Sequence, residues 1–407
     1  MTIKNYTKNY LFFFFLVFKS IEIVFPQLLN NIIRLGDSKF KYSHFNFNSD
    51  GDMIIDIESY PSLEERRFFG LKKNGHFYFT KSNNQPFYSI YSSSSEARIE
   101  GESRLIKLTS KNSTFHGTEL LCGISKRQDF YSELYNLNYN NMTKYKTGNM
   151  FGNIISDTFS FLESPDNSET KYEYIITYIL QNDTSTYLII RKMEFSFDNS
   201  NGYNLIKERS FKSGDRTIVS CFFTVNLKYI CFYQNDNYIL TALVFSDTSL
   251  SSSKTTVIYT ESSSVTSFNN KKFMKTIHLK EEIGIFVFYT DKDDIPLISL
   301  YKCNSNNILE TYNSFRNIKI DKISFNNGNI LNDLVKLNDS QICFVSTSSD
   351  KLSLYVVIFS LYNNDLKMNI RYYSIEMWND SKQIIFKDIK VSLYKNFLSI
   401  SYSHCPQ

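Results

Sequence analysis

Residues 229–246 read YICFYQNDNYILTALVFS. An apolar, aromatic run meets the polar turn QNDN, and a second apolar run follows. Aromatic and β-branched runs of this length, bounded by Asn and Asp, signal two strands joined by a hairpin. Neither run alternates cleanly between apolar and polar, so such strands need cover on both faces. The plan recurs as IFVFYTDKDDIPLISLYKC at 285–303 and as ICFVSTSSDKLSLYVVIFS at 342–360.

Aligned on Phe232, Phe288 and Phe344, the three copies are spaced by 56 residues. A further 56 residues reaches Ile400, in FLSISYSH. Backward steps of 54, 56 and 53 residues reach Tyr178, Cys122 and Phe69. That makes seven copies, with room between them for two more strands, such as 255–259 and 273–279. Four strands repeated radially describe a propeller blade. The expected fold is therefore all-β, a seven-bladed β-propeller of about 56-residue repeats over 40–407. The alternative is two β-sandwich domains, with the register an accident. No WD, kelch or Asp-box signature accompanies the repeat.

In this reading the seventh copy runs out of chain after its first apolar strand. Residues 42–48 and 53–57, joined by Ser49, Asp50, Gly51 and Asp52, are expected to complete it and tie the two ends together. Asp-Gly is a strong hairpin signal. A rival expectation is a fragment whose missing strands lie beyond Gln407.

The N-terminus reads differently. Lys4 and Lys8 precede LFFFFLVF at 11–18, and Lys19 follows at once. A charged stretch and a short apolar block have the form of a secretory signal. The expectation is a signal over 1–25, a short connecting segment over 26–39, and cleavage near 20–27, although no small-x-small triplet follows the block. An uncleaved signal-anchor, or a buried strand or helix, are the other readings. Eight helical residues span about 12 Å, too short for a bilayer core of about 30 Å.

Two further features suit an oxidising, secretory compartment. Asn112, Asn141, Asn182, Asn338 and Asn379 begin N-x-S/T sequons and are expected to carry surface glycans. An Asn- and Ser-rich chain also produces sequons by chance. The six cysteines allow 15 pairings. One pairing has a local argument. Ile218–Phe223 and 229–233 read as adjacent strands turning near Asn226, which sets Cys221 opposite Cys231, so that disulfide is expected. Two buried thiols are the alternative.

Composition narrows the function classes. The 45 Lys and Arg nearly balance 41 Asp and Glu, and they are scattered. Nucleic-acid binders concentrate positive charge on a face or tail, so no nucleic-acid partner is expected. With 13 glycines there is no P-loop, no G-x-G-x-x-G and no G-x-S-x-G elbow. The five histidines make no metal spacing, and no cofactor is expected. His278, between Ile277 and Leu279, reads as a strand residue. Asn46, Asn48, Asp50 and Gly51 match the first half of a calcium loop, but Ile57 stands where a bidentate Glu belongs. A hairpin turn is the better reading. Asp291, Asp293 and Asp294 read as a solvated turn, and Arg66 and Arg67 as cover for a sheet edge.

The functional expectation is a secreted or cell-surface interaction protein that binds a protein or glycan partner, and an enzyme is the less favoured class. The alternatives are a secreted propeller hydrolase or the ectodomain part of a membrane receptor. Membrane attachment would come only through a signal-anchor or a segment beyond Gln407.

Overall fold

A computed structural model describes the backbone of 29 strands between residues 10 and 406 and several of their turns. It describes most side chains within 173–194, 204–258, 274–311 and 333–361, and a few beside these. The chain forms two compact units, residues 92–328 and residues 1–91 with 329–407.

In chain order, the second of these units opens with β1 (Tyr10–Val17), β2 (Phe40–Phe47), β3 (Met53–Ser59), β4 (Glu65–Leu71) and β5 (Tyr88–Tyr91). Among the described residues the unit over 92–328 holds four sheets. They are β6 to β9 (Arg104–Lys107, Glu119–Ile124, Asp129–Asn136, Asn141–Asn149) and β10 to β13 (Asn153–Glu163, Tyr172–Asn182, Ser185–Phe195, Tyr203–Ser213). Next come β14 to β17 (Ile218–Phe223, Tyr229–Gln234, Leu240–Phe245, Ser253–Tyr259). The fourth runs from β18 to β21 (Met274–His278, Ile285–Thr290, Pro296–Cys303, Leu309–Thr311), with β22 (Ile318–Lys319) also on β20. The chain then returns to the terminal unit with β23 to β26 (Asn332–Asn338, Gln341–Thr347, Ser353–Tyr362, Lys367–Glu376). Last come β27 (Trp378–Asn379), β28 (Lys382–Tyr394) and β29 (Phe397–Pro406).

The protein is all-β, and among the described residues its sheets have four antiparallel strands, one with an added fifth; all are meanders except β1–β29–β28–β27, which takes β1 from the other end of the chain. Among the described residues the terminal unit holds three sheets, β2–β5, β23–β26 and β1–β29–β28–β27. Three or four separate sheets per unit depart from the two-sheet plan of a sandwich.

Burial explains the apolar strands. In the sheet β14–β17, Val219, Cys221, Tyr229, Cys231, Leu243 and Phe245 face Ile175, Ile179, Leu188 and Ile190 of β11 and β12. Phe222, Ile230, Phe232, Leu240, Ala242 and Val244 face Ile285, Val287, Tyr289, Leu297 and Tyr301 of β19 and β20. Alternate residues thus enter different cores, so polar alternation disappears. In the terminal unit Cys343, Val345, Leu354 and Val356 meet Ile389, Leu398 and Ile400 in the same way.

The register points Cys122, Tyr178, Phe232, Phe288 and Phe344 all fall in the second strand of their sheets, and Ile400 falls in β29. Phe69 does not. It lies in β4, the third strand, where it pairs with Ile55 of β3, and Ile55 holds the second-strand position. Two neighbouring strands rich in apolar residues made the backward step ambiguous.

Residues 42–57 do not complete the last sheet. β2 and β3 pair with each other, Phe47 opposite Met53, and β3 pairs with β4. The strand added to β29 is β1, from Tyr10 opposite His404 to Val17 opposite Phe397. The block read as a signal is therefore a strand here. Pairing with β29 and removal by cleavage exclude one another. Residues 48–52, the remainder of the calcium-loop match, and Asp291, Asp293 and Asp294 lie outside the described residues; each group joins two antiparallel strands.

Candidate functional site

Polar side chains gather where the sheet β10–β13 meets the turn after β16. Lys192 lies on β12 in the run YLIIRKMEF and is nearly buried, its side chain 9% exposed. Its Nζ is 2.7 Å from Glu173 Oε2 on β11 and 3.3 Å from Asp166 Oδ2 in the turn after β10. The pairing has a local reason. Glu173 stands directly opposite Glu194 in the ladder, and like charges in that position repel. An ammonium two residues from Glu194 on the same face offsets the repulsion. The Ser164 amide donates to the Glu173 carbonyl at 2.8 Å, and the Asp166 amide donates to Ser164 Oγ at 3.3 Å, which fixes the acidic turn.

The neighbouring turn is SDTSLSSS, residues 246–253. The Asp247 carboxylate accepts the Ser249 amide at 2.9 Å, the Ser249 hydroxyl, and the Ser246 hydroxyl at 3.3 Å. The Ser249 hydroxyl, more than any other group, holds the Asp247 carboxyl below the usual carboxylate range, with smaller help from the Ser249 amide, Ser246 and Lys192. Lys192 therefore influences three carboxylates. Arg209 of β13 spans the seam: its Nε donates to the Leu250 carbonyl at 2.8 Å and its Nη2 to that of Ser251. Leu250 is fully buried with φ of 56°, so the guanidinium holds a turn that its backbone alone disfavours.

The result is a surface of three carboxylates, two cations and serine hydroxyls, with Asp166, Asp247, Ser249, Ser251 and Ser252 exposed. Carboxylates accept, ammonium and guanidinium groups donate, and hydroxyls do both. Such a surface can bind a hydroxyl-rich ligand through paired hydrogen bonds. Among the described residues no group of three His, Cys, Asp or Glu could hold a metal ion.

The expected site residues are placed as follows. Cys221 and Cys231 stand opposite each other on β14 and β15 and are joined by a disulfide, Cα atoms 4.2 Å apart. Asn338 ends β23 and is exposed, and its Oδ1 accepts the Ser340 amide at 2.9 Å and the Ser340 hydroxyl at 3.1 Å. Asn182 ends β11 opposite Ser185, Asn141 opens β9, and Asn379 ends β27. Asn112 lies outside the described residues. His278 stacks on Phe222, ring centroids 5.8 Å apart. The seam itself went unread, because the only signal in sequence was a charged pair, Arg191 and Lys192, inside an apolar strand.

The sequence matches no family model and no curated protein. Solved structures do resemble the fold. One is the Saccharomyces cerevisiae core factor, at 10% identity and a TM-score of 0.51, covering 91% of this chain and 57% of that one. Another is the fucose-recognising lectin of Aleuria aurantia, described as a six-bladed β-propeller, at 11% identity over 83% of this chain and 95% of the lectin, TM-score 0.45. A third is the α-L-arabinanase of Penicillium chrysogenum, at 10% identity over 83% and 93% of the two chains, TM-score 0.40.

Proposed function

We propose that this chain is a secreted or cell-surface interaction protein, a β-propeller of seven blades that binds a glycan carried by its partner through the seam of Lys192, Asp166, Asp247 and the serine turn. The seam carries the reading. It joins donors and acceptors on one exposed surface, held by a nearly buried lysine and by an arginine that ties the turn down. The 56-residue register and the sheets described in each unit support a count of seven blades. The cross-strand disulfide and the exposed Asn338 sequon support an oxidising, glycosylating compartment.

The test is glycan-array binding of the full chain, followed by titration calorimetry with the best ligand. Asp247→Ala and Ser249→Ala are expected to weaken binding about tenfold each, since a hydrogen bond to a charged group contributes about 1.5–3 kcal/mol. Binding unchanged in both variants would overturn the site. A chain that binds protein but no glycan would overturn the ligand class.

A further inference from the structure

The last sheet contains one strand from each end of the described chain. β28 and β29 form a long hairpin, β27 adds two residues on one side, and β1 covers the free edge of β29 on the other. The pairing is continuous over eight residues, with no bulge. We propose that residues 10–17 remain in the mature protein as the strand that closes this sheet, and are not lost as a cleaved signal. The inference stands on the pairing and is independent of the proposed glycan.

Three observations carry it. First, without β1 the edge from Phe397 to His404 is bare, and a long bare edge is a template for pairing with other chains. Among the described residues each of the other sheets has four strands or more, and this one reaches four only with β1. Second, the composition suits a strand. Four phenylalanines, a tyrosine and a valine in YLFFFFLV favour extended backbone. Lys8 and Lys19 flank the paired stretch, where charge stops a ladder from extending. Third, the residues after the block offer no small-x-small triplet for cleavage.

The experiment uses the full chain purified from a eukaryotic host. Peptide mapping is expected to recover residues 10–17 from the folded protein. Hydrogen exchange is expected to find slow amides at consecutive positions from Phe397 to His404, alternately held by β28 and by β1. Alternate N–H groups of β1 face β29, so of Phe13→Pro and Phe14→Pro one must delete a ladder donor. That variant should speed exchange in β29 about tenfold or more while the amides of β24 keep their protection. If neither proline variant folds, Phe12→Cys with Tyr402→Cys decides the matter, because these positions are directly opposite. A cross-link between them supports the pairing, and two free thiols under oxidising conditions overturn it. An N-terminus at 20–27 would also overturn the inference, as would fast exchange at alternate positions of β29 in a chain that keeps residues 10–17. A retained block with no glycan binding would sink the ligand reading alone, and a removed block with glycan binding would sink only this one.

Discussion

Asp333 Oδ2 accepts the Val391 amide N–H at 2.8 Å, so a carboxylate on β23 caps a donor on β28 of the neighbouring sheet. Its other oxygen, Oδ1, accepts the Leu334 amide at 2.9 Å, and the residue is 5% exposed. Charge-assisted bonds to backbone donors are among the stronger ones. Asp333→Ala should cost about 2–4 kcal/mol, because it leaves a buried N–H without a partner. Urea unfolding measures the loss, and exchange of the Val391 amide locates it.

Lys192 offers a second test of a buried charge. Lys192→Met removes the partner of Glu173 and should destabilise by about 3 kcal/mol. Adding Glu173→Gln should return part of that loss, since the orphaned carboxylate is then neutral. A double variant no more stable than the single one would show that packing, not charge, sets the cost.

Gly284 has φ of 107°, and a Cβ placed there would lie 2.2 Å from the Tyr301 carbonyl oxygen. The obstacle is backbone of the adjacent strand β20, which cannot step aside. Gly284→Ala should cost about 3 kcal/mol or more, read as a lowered thermal midpoint with the disulfide intact.

Cys221 and Cys231 close a short loop, their sequence separation being 10. Loop-closure entropy gives such a bridge about 3 kcal/mol. Cys221→Ala with Cys231→Ala should lose about that amount, and non-reduced peptide mapping of the native chain should recover the cross-linked pair.

Stability should also fall in alkali. Tyr229 is fully buried, and burial pushes its phenol well above the ordinary value of 10.0, against the smaller opposing effect of its hydrogen bond with Thr177. The unfolded phenol ionises first, so the folded state holds more protons above pH 10 and stability declines as pH rises. The decline should be about 1.4 kcal/mol per pH unit for this residue until the folded phenol itself ionises. Tyr178 and Tyr233 are shifted in the same direction, in each case chiefly by burial. Absorbance at the phenolate band during urea unfolding at two alkaline pH values checks the sign.

The strand order was legible where one repeat resembles the next. Phe232, Phe288 and Phe344 mark equivalent strands because each is fully buried in the apolar second strand of its sheet. Phe69 misled because β3 and β4 are both rich in apolar residues, and periodicity cannot rank two such neighbours. The Cys221–Cys231 pairing was readable because a hairpin fixes its own register. The seam at Lys192 was not. It depends on residues far apart in sequence, Asp166, Lys192 and Asp247, and nothing local marks which surface residues will meet. β1 was hidden for another reason. A short apolar block flanked by lysines satisfies both a translocation signal and a protected strand, and only a partner strand decides between them.

Contacts between neighbouring sheets recur at the length of the repeat. Ser220 Oγ meets Thr276 Oγ1 at 2.8 Å across 56 residues. Asp333 meets Val391 across 58, and Thr177 meets Tyr229 across 52. Each contact joins one repeat to the next and none is complete within a single repeat. Gain or loss of one whole period therefore keeps the spacing at which neighbouring sheets meet, although the residue found at that spacing changes. A shorter insertion within a strand orphans a partner on each side. For a gene drifting under duplication and deletion, the tolerated step in this chain is the full repeat, and its boundaries can fall inside a strand as readily as between sheets.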